Sequence, residues 1–174
     1  MTIGCGARAV LAVIAVFIAL GVPQRAGAMP IPFVYGGIVV IPDASIPMSG
    51  LSQPFWGAIG GPPSIRINPD HWAILPEGAQ QFLLDHERGH CVLGHNARPA
   101  LSLSIAAQRE WDADTYAATA MLKRGQRALL DQQLRWLRWL ALVAPPPAPQ
   151  YAPWQLQADH LAAVEAAFSA PRRY

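Results

Sequence analysis

Two histidines four residues apart, in the run His86-Glu87-Arg88-Gly89-His90, constrain this chain more than anything else in it. Positions i and i+4 of an α-helix are rotated by only about 40°, so both imidazoles leave one face about one turn apart. Two rings so placed can share one cation. Glu110 follows twenty residues after His90, and Asp114 lies four beyond it, again one helical turn apart. A fold that uses these residues together must therefore bring two helices to a single point.

The residue types suit a catalytic zinc site, in which three protein ligands leave one position open for water. Two ligands would be His86 and His90, and Glu110 is the natural third. Glu87 sits one residue off the ligand face, where a general base can reach a water without ligating the metal. Asp114 can accept the remaining ring N–H of a ligand histidine, best that of His86, fixing its tautomer and raising its basicity. With five His and four Glu in 174 residues, His-Glu-x-x-His arises by accident roughly once in 300 such chains, and Glu and Asp at two further fixed positions lower that about a thousandfold. The bland alternative is a surface helix carrying two histidines and an acid.

His86-Glu87-x-x-His90, nineteen intervening residues and Glu110-x-x-x-Asp114 resemble the active-site signature of the gluzincin zinc metallopeptidases, the thermolysin-like clan. The text from Phe82 to His95 is also similar to small secreted bacterial proteins that read His-Glu-Cys-Gly-His at this place. The likeness spans about residues 63 to 124. It implies His86, His90 and Glu110 as Zn2+ ligands, Glu87 as base, Asp114 as the residue orienting His86, and a zincin-like helical core. Arg88 stands where such proteins often carry a small or apolar residue, and is expected on the outward face. In these peptidases an edge strand beside the active-site helix pairs with an extended substrate backbone. Ser64-Ile65-Arg66-Ile67-Asn68 is either such a strand or an interior or edge strand without a ligand.

His95 raises another zinc class, the metzincins, which need Gly three and His six residues after the second ligand; here Gly94 and His95 fall at four and five. The register fails. A turn at Gly94 can still swing His95 inward as a ligand; the alternative is a histidine interacting with the dipole at a helix C-terminus.

The N-terminus reads as a secretory signal: Arg8, an apolar run from Ala9 to Val22, Pro23, then Ala26-Gly27-Ala28 as a cleavage site. Fourteen apolar residues are few for a spanning helix. An uncleaved anchor is the alternative, and the sole expected route to a membrane. The expected organisation is residues 1–28 as signal and 29–174 as a single zincin-like domain, periplasmic or secreted. Loss of Arg8 and Arg25 leaves 11 basic against 11 acidic residues, from 13 and 11. With the charge near neutral, the basic pI of the whole chain gives no argument for nucleic acid, and no nucleic-acid partner is expected. Cys5 would leave with the signal, so Cys91 cannot form an intramolecular disulfide. A redox or metal role beside His90 is open to Cys91, as is simple packing as a small hydrophobe.

Residues 29 to 76 are rich in Pro and Gly, and β-branched runs at Phe33 to Ile41 and Ser64 to Asn68 predict strands and loops without helix. A helix is expected from Pro76 or Glu77 to Gly94, with Phe82, Leu83, His86, His90 and Leu93 on one face. A second is expected from Ser102 or Ser104 to Lys123-Arg124-Gly125, a third from Gln126 to Val143, and a last from Gln155 to Ser169 after a proline breaker. The class is α+β: a small N-terminal β-sheet, its edge strand packed on a helical core.

Trp136 and Trp139 with Arg135 and Arg138 could make an interfacial face, but Leu130, Leu134, Leu137 and Val143 at helical spacing point to bundle packing. His71, His160, Tyr116 and Tyr151 are each candidates to stabilise an oxyanion, and His160 is carried forward. The expected activity is zinc-dependent hydrolysis of peptide bonds in a peptide or protein substrate. Alternatives are a zinc-binding envelope protein without turnover and a maturation protease with one partner.

Overall fold

The computed structural model describes residues 32–46, 50–53, 63–95 and 100–170. The expected signal segment, 1–28, lies outside them. Strands β1 (Phe33–Tyr35), β2 (Ile38–Pro42), β3 (Gly50–Gln53) and β4 (Ser64–Ile67) form one sheet in the order β1-β2-β4-β3. Helices α1 (Pro69–Ile74), α2 (Glu77–Val92), α3 (Leu103–Lys123), α4 (Arg127–Val143) and α5 (Trp154–Ser169) follow. The class is α+β.

Phe33 to Ile41 forms a hairpin that turns at Gly36–Gly37, with Phe33 opposite Val40. β4 runs parallel to β2, Ile65 opposite Val40, and antiparallel to β3. Both of its edges are therefore paired. This corrects the reading of Ser64–Asn68 as an edge strand open to a substrate; the edge on that side is β3, which packs along α2. A second correction is α1, where no helix was expected. Asn68 caps it, its side chain accepting from the N–H groups of Asp70 and His71, with Pro69 in the first turn and Asp70 on the favourable side of the dipole. Those signals lie in Asn-Pro-Asp itself, masked by the surrounding Pro and Gly.

α2 separates two apolar clusters. Leu84 packs with Ile38, Val40, Ile65 and Ile67 of the sheet, joined by Leu83, Trp72 and Cys91. Phe82 belongs to the other cluster, with Ala117, Met121 and Leu122 of α3, Leu130, Leu134 and Leu137 of α4 and Leu161 of α5. Full burial of each large apolar side chain contributes about 1.5–3 kcal/mol, so α2 is held from two sides. The single face expected for Phe82, Leu83 and Leu93 is consequently divided: Leu83 turns to the sheet and Leu93 remains exposed. Trp136 and Trp139 stack at 5.0 Å and pack on the helical cluster. On α4 the buried stripe ends with Leu140, and Val143 is exposed.

Asp85 fixes the rotation of α2. Its carboxylate is fully buried and receives both terminal nitrogens of the Arg124 guanidinium, Nη1 at 3.2 Å. The Tyr35 hydroxyl donates to it at 2.8 Å and Gln81 Nε2 at 3.1 Å. One carboxylate thus ties α2 to the hairpin and to the end of α3. Removing the cation strands a buried charge. Arg124→Met is expected to destabilise the protein by about 3 kcal/mol, and Asp85→Leu/Arg124→Met by clearly less, as read by urea unfolding. A double variant no more stable than the single one contradicts this role for the pair.

Candidate metal centre

The two histidines meet the glutamate as their spacing demands. His86 and His90 project from α2 with their Nε2 atoms 3.0 Å apart. Glu110 Oε2, from α3, lies 3.2 Å from His86 Nε2 and 3.5 Å from His90 Nε2. Donors on one tetrahedral ion with bonds of about 2.0–2.1 Å stand about 3.3–3.4 Å apart. The three atoms therefore outline a triangle of the size of one face of such a tetrahedron. Glu110 Oε2 is also buried without a hydrogen bond that meets normal geometry among the described residues. A buried carboxylate oxygen aimed at two imidazole nitrogens needs a positive partner, which either a protonated histidine or a metal cation can supply. The group can hold a metal ion.

Close helix packing makes this convergence possible. Gly89 faces α3, where an added Cβ would come within 3.1 Å of Tyr116 Cδ1 and 3.3 Å of the Ala113 Cα. Ala113 and Ala117 are fully buried. Small residues at the crossing let Glu110 and Asp114 reach the imidazoles. Ser102 starts α3, accepting from the Ile105 N–H at 3.2 Å.

Asp114 Oδ1 sits 2.8 Å from His86 Nδ1, leaving Nε2 for the ligand face. Glu87 is buried between the ligand face and the sheet side of α2, close enough for its charge to raise the basicity of His86. Burial disfavours the charged form of His86, but Asp114 and then Glu110 overcome it and raise the ring well above the usual 6.5. Burial would likewise raise the Glu110 carboxyl; His86 and His90 outweigh it and hold the group at about 2.

The remaining candidates divide. His160, carried forward from the sequence, lies instead on the Trp111–Thr115 face of α3, 2.9 Å from Thr115 Oγ1 and edge-on to Trp111. That face is about 100° round the helix from Glu110 and Asp114. Tyr116 accepts from Arg88 Nη1 at 2.6 Å. His71 is buried on α1. Tyr151, before α5, is the candidate that feels the site: burial first, then the charges of Glu110, Glu87 and Asp114, push its phenol upward and keep it protonated. Arg88 does leave α2 away from the ligands, but into a contact rather than bare solvent, bridging the Gly36 carbonyl and Tyr116. Cys91 packs on the sheet cluster.

His95 is what sequence reasoning placed least well. Its Nδ1 lies 3.1 Å from Nδ1 of His90. It is neither turned to the three-donor point nor left at the helix dipole.

Comparison of the chain with protein-family models, with curated proteins and with solved structures gives no match. Any functional reading rests on this geometry and on the motif.

The two shifts set opposite pH linkages in the metal-free protein. The lowered Glu110 carboxyl contributes stability present above 4.5 and lost as pH falls towards about 2. The raised His86 imidazole contributes stability present below 6.5 and lost as pH rises through its higher folded value. A cation must displace that proton, so binding strengthens with pH. Thermal unfolding with chelator or with added zinc, from about pH 6 to about pH 8.5, should show stabilisation by the ion growing across the range. Stabilisation that is flat or shrinks contradicts the ligand set.

Proposed function

We propose that the protein is a gluzincin-like zinc metallopeptidase acting outside the cytoplasm, with His86, His90 and Glu110 as the zinc ligands. The observation that carries this reading is the triangle of donors, with edges of 3.0, 3.2 and 3.5 Å. The acid one residue along α2 and the carboxylate behind His86 add what hydrolysis needs beyond metal binding.

A zinc ion held there supplies a Lewis acid for a carbonyl oxygen and acidifies water. Glu87 accepts the proton of the attacking water and passes it to the leaving amine. Asp114 holds His86 in the tautomer with Nε2 unprotonated. Tyr151, whose phenol is pushed upward by burial and then by the charges of Glu110, Glu87 and Asp114, donates to the developing oxyanion in place of His160. β3, as the sheet edge along α2, is the strand that an extended peptide would join. The resemblance of the motif supports zinc over other divalent ions and peptide over other amide substrates.

Glu87→Gln should keep stoichiometric zinc while hydrolysis falls by about 10²–10⁴-fold. His90→Ala should lose the metal. Zinc analysis alongside a casein or envelope-peptide digestion with chelator control reads both. Retention of zinc by both variants contradicts the ligand assignment; full activity of Glu87→Gln contradicts the base. If the wild type digests no general substrate, Glu87→Gln serves as a trap for a single partner. Tyr151→Phe should keep zinc and lower kcat by about 10²-fold or more, and an unchanged kcat removes it from the mechanism.

A further inference from the structure

The two imidazoles of the centre are supported differently. Behind His86 stands a carboxylate, Asp114 Oδ1, at 2.8 Å from Nδ1. Behind His90 stands another imidazole: His95 Nδ1 lies 3.1 Å from His90 Nδ1, the rings edge to face at 69° with centroids 5.1 Å apart. Each ligand ring is thus held at Nδ1 and presents Nε2 to Glu110.

The chain is built to return His95 to this place. α2 stops at Val92, Leu93 still has helical dihedrals, and Gly94 takes φ +70°, a left-handed value that reverses the backbone at little cost only for glycine. The His95 carbonyl then accepts from Arg109 Nη1 at 3.0 Å. Arg109 directly precedes Glu110, so the element that provides the third donor also holds the residue behind the second.

We propose that His95 is a positioning residue of the metal centre, accepting the Nδ1–H of His90 so that His90 Nε2 stays unprotonated and aimed at the ion. This rests on the reading of His86, His90 and Glu110 as metal ligands. A ring that ligates through Nε2 carries its proton on Nδ1. With that hydrogen donated, His95 Nδ1 is the acceptor and the His95 proton resides on Nε2. His95 is not a fourth ligand, since its near nitrogen meets the back of His90 and stands outside the group of converging donors. A neutral acceptor there also spares the site a further buried negative charge beside Glu110, Glu87 and Asp114.

The test compares wild type, His95→Phe and His95→Gln by zinc competition with a chromophoric chelator, by the visible spectrum of the cobalt form and by unfolding of the metal-free proteins. His95→Phe should bind zinc about 10–100-fold more weakly, with a changed cobalt spectrum and the metal-free Tm of the wild type. His95→Gln, whose amide oxygen can accept the same proton, should recover most of the affinity. Wild-type affinity and spectrum in His95→Phe overturn the proposal. So does a metal-free Tm that falls in step with affinity, which marks a structural role, or a complete loss of metal like that of His90→Ala, which marks a ligand. Imidazole 15N spectra of the zinc-loaded wild type need no variant: His95 protonated at Nε2 supports the proposal and protonation at Nδ1 overturns it. A wild type that takes up no zinc sinks the metal centre itself, and this result is distinct from every outcome confined to the His95 variants.

Discussion

The close approach of α2 to α3 is the constraint on which the rest of the structure depends. Gly89 on one helix meets Ala113 and Tyr116 on the other, and there a carboxylate about two turns into α3 reaches the imidazoles on α2. Even a Cβ at position 89 would require its neighbours on α3 to give by a few tenths of an ångström. Packing and chemistry are the same contact here.

Every face of α2 is consequently in use. Leu84 and Cys91 turn to the sheet, Phe82 to the helical cluster, Arg88 to the hairpin turn and Tyr116, and His86 and His90 to Glu110. Asp85, one residue before the first ligand, is pinned by Arg124 and Tyr35. A rotation of α2 would have to break that buried carboxylate network as well as two apolar contacts. The face that carries His86 and His90 is therefore positioned by interactions on the other sides of the helix, so an ion bound there would find its donors already in place.

How much of this was legible in the sequence follows from how local each signal is. The pairing of His86 with His90, and of Glu110 with Asp114, depends only on helical periodicity, the ends of α3 on the Ser102 cap and Gly125, and the end of α4 on the proline run after Val143. The meeting of the two pairs, including Asp114 with His86, was inferred from the motif and is present in the fold. The turn at Gly94 was legible, but that His95 meets the Nδ1 side of His90 was not, because it depends on a hold from Arg109 fourteen residues away that leaves no periodic trace. Whether β4 is an edge or an interior strand was left open, because strand order is a non-local property of the sheet. α1 was missed although Asn68-Pro69-Asp70 announces a capped helix start, since the Pro and Gly around it suggested only loop. His160 was favoured over Tyr151 without any feature to separate them; the burial of Tyr151 and the charges of Glu110, Glu87 and Asp114 that act on it exist only in the folded chain.

The most direct test of the central claim is the X-ray absorption spectrum at the zinc edge of protein loaded with one equivalent of the ion. The account predicts a first shell of nitrogen and oxygen only, at about 2.0–2.1 Å, with the outer scattering of two imidazoles. A sulfur shell at about 2.3 Å, the outer scattering of three or more imidazoles, or failure to retain the ion would contradict it.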